Sequence, residues 1–117
     1  MSGINSKNAP KAVGLYPHSR IVGDLLFLSG IGPRSHIDNS IPGLELDSKG
    51  KIIKYNIELE CRSVFSNVKS ILDDSGSSWE NIIDVTVFLT NMKYDFDLFN
   101  KIYSDYFKEN QPTRTTV

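Results

Sequence analysis

The sequence predicts an α+β domain in which two helices cover one face of a mixed β-sheet. Three patterns carry that expectation. Ser19–Val22 and Leu25–Gly30 are apolar-rich runs parted by Gly23-Asp24, which is a hairpin signal. From Asn56 onward the apolar residues change to helical spacing. A strand-like run, Asp84–Leu89, then separates this helix from a second one, so strands and helices alternate through the second half.

Taken in order, residues 1–10 are small and polar and are expected to form a flexible tail. The hairpin follows, with Gly23 suited to the first central position of a type II′ turn. Its second strand has four consecutive apolar residues, which predicts that both of its faces are covered. Ser29-Gly30 ends that strand, and small residues there allow a ligand close to the backbone. Arg34–Pro42 reads as an exposed loop. Gly43–Leu46 and Lys51–Lys54, joined by the turn Asp47–Gly50, form a small flap.

Ile57, Cys61, Val64, Phe65, Val68, Ile71 and Leu72 then mark one continuous helical face. Asn56 suits the N-cap, Glu58 and Glu60 favour the positive end of the helix, and Gly76 ends it. Ser77-x-x-Glu80 has the form of a capping box for a short turn through Trp79. Asp95 or Asp97 suits the cap of the second helix, whose apolar face comprises Phe96, Phe99, Ile102, Tyr103, Tyr106 and Phe107. Pro112 cannot continue that helix, and β-branched Thr115, Thr116 and Val117 open a last strand. The strands joined across the second helix are expected to be parallel, with a right-handed crossover.

Composition narrows the function. The 117 residues suit one domain, 1–117, and at net charge −1 the chain has no basic excess to attract nucleic acid. A lone cysteine, Cys61, excludes an internal disulfide framework and points to a reducing, cytoplasmic compartment. There is no apolar stretch of signal-peptide or membrane-spanning type. His18 and His36 lack metal-ligand spacing. Arg114, at the start of the last strand, offers a planar fork that can grip a carboxylate through two parallel hydrogen bonds.

Together, Gly14-Leu15-Tyr16, Leu25–Gly30, the helix ended by Gly76, Asp84–Phe88, Asn100-x-x-Tyr103 and Pro112-Thr113-Arg114 resemble the Rid family of reactive-intermediate deaminases. The resemblance runs in order from about Ala9 to Val117. Pro17-His18, the insert after Gly30 and the Pro112–Val117 ending look most like 2-aminomuconate deaminase. The resemblance implies a chorismate-mutase-like protomer, a homotrimer with pockets between subunits, and neither metal nor organic cofactor. It implies carboxylate-bearing enamine or imine substrates, hydrolysed to a ketone or keto acid and ammonia.

Carried onto this sequence, the resemblance makes Arg114 the carboxylate grip and, with Ser29, a catalytic residue. Tyr16, Gly30, Asn100 and Thr116 become substrate-binding residues. A second carboxylate, as in 2-aminomuconate, needs its own partner, for which His18 and Arg34 are the candidates. Family members continue through a further strand bearing a glutamate that helps to place the attacking water. The sequence ends at Val117, so a fragment lacking that strand is expected. Each residue also has an ordinary reading: Tyr16 as packing, Ser29-Gly30 as a strand terminus, Asn100 as solvent-facing, Cys61 as an inert core thiol. Two other functions stay open, a non-catalytic regulatory trimer that captures a small carboxylate and a single-strand RNA endonuclease. The acidic balance disfavours the second.

Overall fold

The computed structural model of the protein describes residues 3–117. Strands β1 (Gly3–Ile4), β2 (Ser19–Val22) and β3 (Leu25–Leu28) form an antiparallel sheet in that spatial order. β4 (Glu45–Leu46) and β5 (Ile52–Lys54) make the antiparallel flap. Helix α1 (Ile57–Asp74), a 3₁₀ turn (Trp79–Asn81), β6 (Asp84–Val87), helix α2 (Met92–Tyr106) and β7 (Thr113–Thr116) complete the order. β6 and β7 run parallel, as expected for strands joined across a helix. The α+β class with two packed helices holds. The strands fall into three separate ladders, with no hydrogen bonding recorded between β3 and β6.

Local chemistry explains most boundaries. Gly23 has φ +59, and Asn39 is the one described non-glycine residue at positive φ, so Asp24 is at negative φ as a type II′ turn requires. The Asn56 side chain accepts from the Leu59 N–H at 3.0 Å, capping α1. At its other end Gly76, at φ +78, donates to the Asp73 carbonyl while the Ser77 N–H reaches Leu72, forming a Schellman motif.

Four expectations are corrected. The N-terminal segment is no loose tail: Gly3 and Ile4 pair with Arg20 and Ser19, and Ser6 and Ala9 are buried. Its polar groups find partners, the Ser6 hydroxyl on the Asp74 carboxylate and the Ser6 N–H on His18 Nδ1 at 2.8 Å. Met1 and Ser2, also expected in that tail, lie outside the described residues. α2 begins at Met92, before Asp95 and Asp97. Asp95 instead accepts the Tyr55 hydroxyl at 2.9 Å inside the first turn. The 3₁₀ turn is preceded by Ser78 and not by a Ser77 box. The Glu80 N–H and the Ser78 hydroxyl hold the Glu80 carboxyl below its usual range.

The fourth correction concerns β3, of which one face only is covered. Leu26 and Leu28 are half-buried, whereas Leu25 and Phe27 are 48% and 57% exposed. Successive side chains alternate across a strand, so its two faces differ in cover. Val22 pairs with Leu25 and joins this bare apolar row.

The core sits between α1, α2 and β6. Cys61, Phe65, Phe99, Ile102 and Phe107 are buried there, with Val85, Val87 and Leu89 packed against them. Phe65 meets Trp79 and Phe107 edge-on, both at 5.8 Å between ring centroids, and lies 4.6 Å from Tyr106. Such pairs add to the burial of apolar area itself. No helix among the described residues is long and apolar enough to cross a membrane.

Two measurements check this core. Phe65→Ala should lower the unfolding free energy by about 3–5 kcal/mol in denaturant titration, because one truncation empties the middle of the ring cluster. Burial pushes the Cys61 thiol up to about 11. It should therefore remain unmodified by a disulfide reagent at pH 8 in the native protein and react once unfolded.

Candidate functional site

The predicted residues gather in two places. The first is built by β7 on α2. Alternation along β7 turns Arg114 and Thr116 to the half-buried side and Thr113 and Thr115 outward. The parallel register sets Arg114 opposite Val85 and Thr116 opposite Val87. Arg114 then donates to Asn100 Oδ1 at 2.6 Å. Its guanidinium carbon lies 4.7 Å from the Tyr103 ring centroid and 5.5 Å from that of Phe99.

Ring faces attract a cation, and an amide oxygen fixes its rotation. Neither neutralises it. Among the described residues ion pairs form at Arg62 and Lys69 and not at Arg114. Beneath the guanidinium, Tyr103 stacks on Phe107 at 4.3 Å. Burial raises the Tyr103 phenol above its ordinary value despite Arg114, so the ring remains neutral. Asn100, expected to bind substrate, has its oxygen engaged by Arg114. Its amide N–H groups are what it can still offer. The Thr116 hydroxyl and the Tyr103 hydroxyl are buried without a partner among the described residues.

The second place is a cavity of ≈40 Å³ at the end of β3, lined by Tyr16, His18, Ser29, Gly30, Arg34 and Asn67 among others. Tyr16 is partly exposed at 44% and follows the tight turn that its N–H closes on the Gly14 carbonyl. The Ser29 hydroxyl donates to the Pro17 carbonyl at 2.7 Å. Its proton is thus committed, and its oxygen is left to accept.

His18 is corrected as a carboxylate partner. Nδ1 accepts the Ser6 N–H at 2.8 Å, which leaves Nε2 as the donor to the Pro10 carbonyl at 2.7 Å. Both ring nitrogens serve the N-terminal segment. Arg34 is the candidate that stays available at the cavity.

Two residues escaped the sequence reading. Ser63 and Asn67 lie one turn apart on α1 and hold the loop after Gly30. Ser63 donates to the Pro33 carbonyl at 2.7 Å, and Asn67 to those of Gly32 and Arg34 at 3.0 and 2.8 Å. The signal was present: Asn67 is a polar residue three after Val64 and four before Ile71, on the apolar stripe. No hydrogen bond recorded among the described residues joins the Arg114 group to the Tyr16–Ser29 cavity, and the two share no lining residue.

A family model described as endoribonuclease L-PSP matches residues 6–117. A RutC family protein of Pyrococcus horikoshii is 37% identical over 115 residues, covering 97% of this chain and 81% of that protein. A solved structure of a Rid-family protein, YyfA of Yersinia pestis, superposes with TM-score 0.83 at 32% identity, covering 99% of this chain and 83% of the other. The structure of Escherichia coli TdcF with bound serine gives TM-score 0.83 at 30% identity, covering 100% and 84%. Matched by the family model over residues 6–117 and more than 30% identical to such relatives over nearly its whole length, the chain belongs to the endoribonuclease L-PSP family, the family of the RutC and Rid proteins.

Proposed function

We propose that this protein is a cofactor-independent deaminase that hydrolyses a carboxylate-bearing enamine or imine, 2-aminomuconate or a related 2-imino acid, to the keto acid and ammonia. The observation that carries the reading is Arg114, a half-buried guanidinium aimed by Asn100, resting on rings, with no carboxylate partner among the described residues. A substrate carboxylate supplies the missing charge, and charge-assisted hydrogen bonds to a fixed fork are both strong and directional. The serine bound by the solved relative TdcF is a small carboxylate of this kind.

The reaction needs little beyond positioning. An enamine takes a proton at carbon and becomes an iminium, while an imine is protonated at nitrogen. Water adds to the C=N carbon and loses a proton. The resulting carbinolamine, protonated on nitrogen, expels ammonia as its hydroxyl proton leaves and the C=O bond forms. Ser29 Oγ, with its own proton held by Pro17, accepts a hydrogen bond from the water or the substrate N–H. The amide N–H groups of Asn100 bind at the carboxylate end. Gly30, without a side chain, leaves room for the substrate beside the strand end.

The two groups of residues become one site when a second protomer brings its Arg114 to the Tyr16–Ser29 cavity. The bare row Val22, Leu25 and Phe27 supports such an assembly, because exposed apolar patches of this sort commonly mark interfaces. A homotrimer closes the arrangement with three equal sites.

Arg114→Ala should lower kcat/KM for ammonia release from a freshly generated 2-imino acid or 2-aminomuconate by about 10²-fold or more. Unchanged ammonia release would remove Arg114 from the mechanism. If the wild type binds carboxylates without releasing ammonia, the protein is the regulatory carboxylate binder instead. RNA cleavage lost in the same variant would favour the nuclease named in the family description. Light scattering should give about three times the 13.1 kDa protomer mass. A one-protomer mass would rule out a site shared between subunits.

A further inference from the structure

We propose that Arg34 anchors a second carboxylate, so that the site selects dicarboxylic over monocarboxylic ligands. The inference rests on the reading of the Tyr16–Ser29 cavity as part of a carboxylate-substrate site, and it adds the class of substrate.

Arg34 is held in place before any ligand arrives. Its loop is clamped onto α1 by three side-chain hydrogen bonds, from Ser63 to Pro33 and from Asn67 to Gly32 and Arg34. Asn67 is 5% exposed, and a buried amide is unfavourable unless it is bonded. Both of its N–H groups go to this loop. Farther on, the Ser35 N–H bonds the Ser40 carbonyl and the Asn39 N–H bonds the Ser35 carbonyl, with Asn39 at φ 62. That turn presents the Asn39 side-chain oxygen to Arg34.

The guanidinium is aligned but not neutralised. One terminal nitrogen donates to Asn39 Oδ1 at 3.2 Å and the other to the Lys11 carbonyl at 3.1 Å. Both acceptors are uncharged, and none of the ion pairs among the described residues involves Arg34. Of five N–H donors, three remain. No Asp or Glu lines the cavity that Arg34 borders.

Size points the same way. A water needs about 10–15 Å³ of such space, so ≈40 Å³ accommodates a head group of carboxylate size and not a whole substrate. Arg114 takes one end of the molecule and Arg34 the other. His18, the only other candidate for this role, has both ring nitrogens bonded.

Stable ligands test this without turnover. Calorimetric titration of the full chain with succinate, glutarate and adipate, against butyrate, pentanoate and hexanoate, should show at least one diacid binding about tenfold or more tighter than the monoacid of equal length. Arg34→Gln should erase that preference, and Arg34→Lys, which keeps the charge and loses the fork, should restore only part of it. Circular dichroism and mass confirm that each variant is assembled like the wild type. Equal binding of diacids and monoacids, binding of neither, or a preference that survives Arg34→Gln would overturn the proposal. The result also separates from the deaminase reading. A diacid preference lost in Arg34→Gln, without ammonia release from any imino acid, keeps the anchor and discards the reaction. Arg114-dependent ammonia release without a diacid preference does the reverse.

Discussion

A guanidinium partly withdrawn from water needs partners, and Arg114 finds an amide oxygen and ring faces in place of a carboxylate. Those partners orient the charge without cancelling it. The constraint reaches through the fold. β7 must run parallel to β6 in one register for Arg114 to face α2, and α2 must present Asn100 and Tyr103 one turn apart. Tyr103 in turn stacks on Phe107, which packs against Phe65 of α1. The aromatic core is therefore the floor of the cation site as well as the main source of stability.

α1 has a comparable double use. Cys61 and Phe65 fill the core, while Ser63 and Asn67 fasten the loop after β3. A helix is a rigid rail, so two side chains four apart hold three loop carbonyls in place. Through them the strand end at Ser29-Gly30 and the Arg34 loop become one preorganised rim. The N-terminal segment is tied down by the bond from Ser6 to His18, and Ala9, Pro10 and His18 line the same cavity. Three elements far apart in sequence thus meet at one small recess.

The outer row of the β2–β3 hairpin shows what a single protomer leaves unfinished. An apolar run can be buried on both faces only if something covers each, and within one chain only one face of β3 is covered. The same division separates Arg114 from the cavity. The assembly proposed above would answer both conditions at once.

Local chemistry alone made much of this legible. Helical spacing from Ile57 to Leu72, the Asn56 cap, the Gly76 stop and the Gly23 turn are decided by nearest neighbours along the chain, and each appears where the sequence places it. Arg114 could be singled out for the same reason, as a residue type at a punctuated position, whereas Tyr16 was marked only by the family resemblance. What neighbours cannot dictate was settled by packing. The polar start became a strand edge because His18 and Asp74 offered partners. α2 began before its acidic candidates for a cap because Asp95 was drawn to Tyr55. His18 and the Ser29 proton were claimed by carbonyls 8 and 12 residues away, and Asn67 by carbonyls 33 and 35 residues away. Hydrogen bonds between distant segments exist only once the chain has closed, so the tertiary structure alone decided which polar groups were left free to meet a ligand.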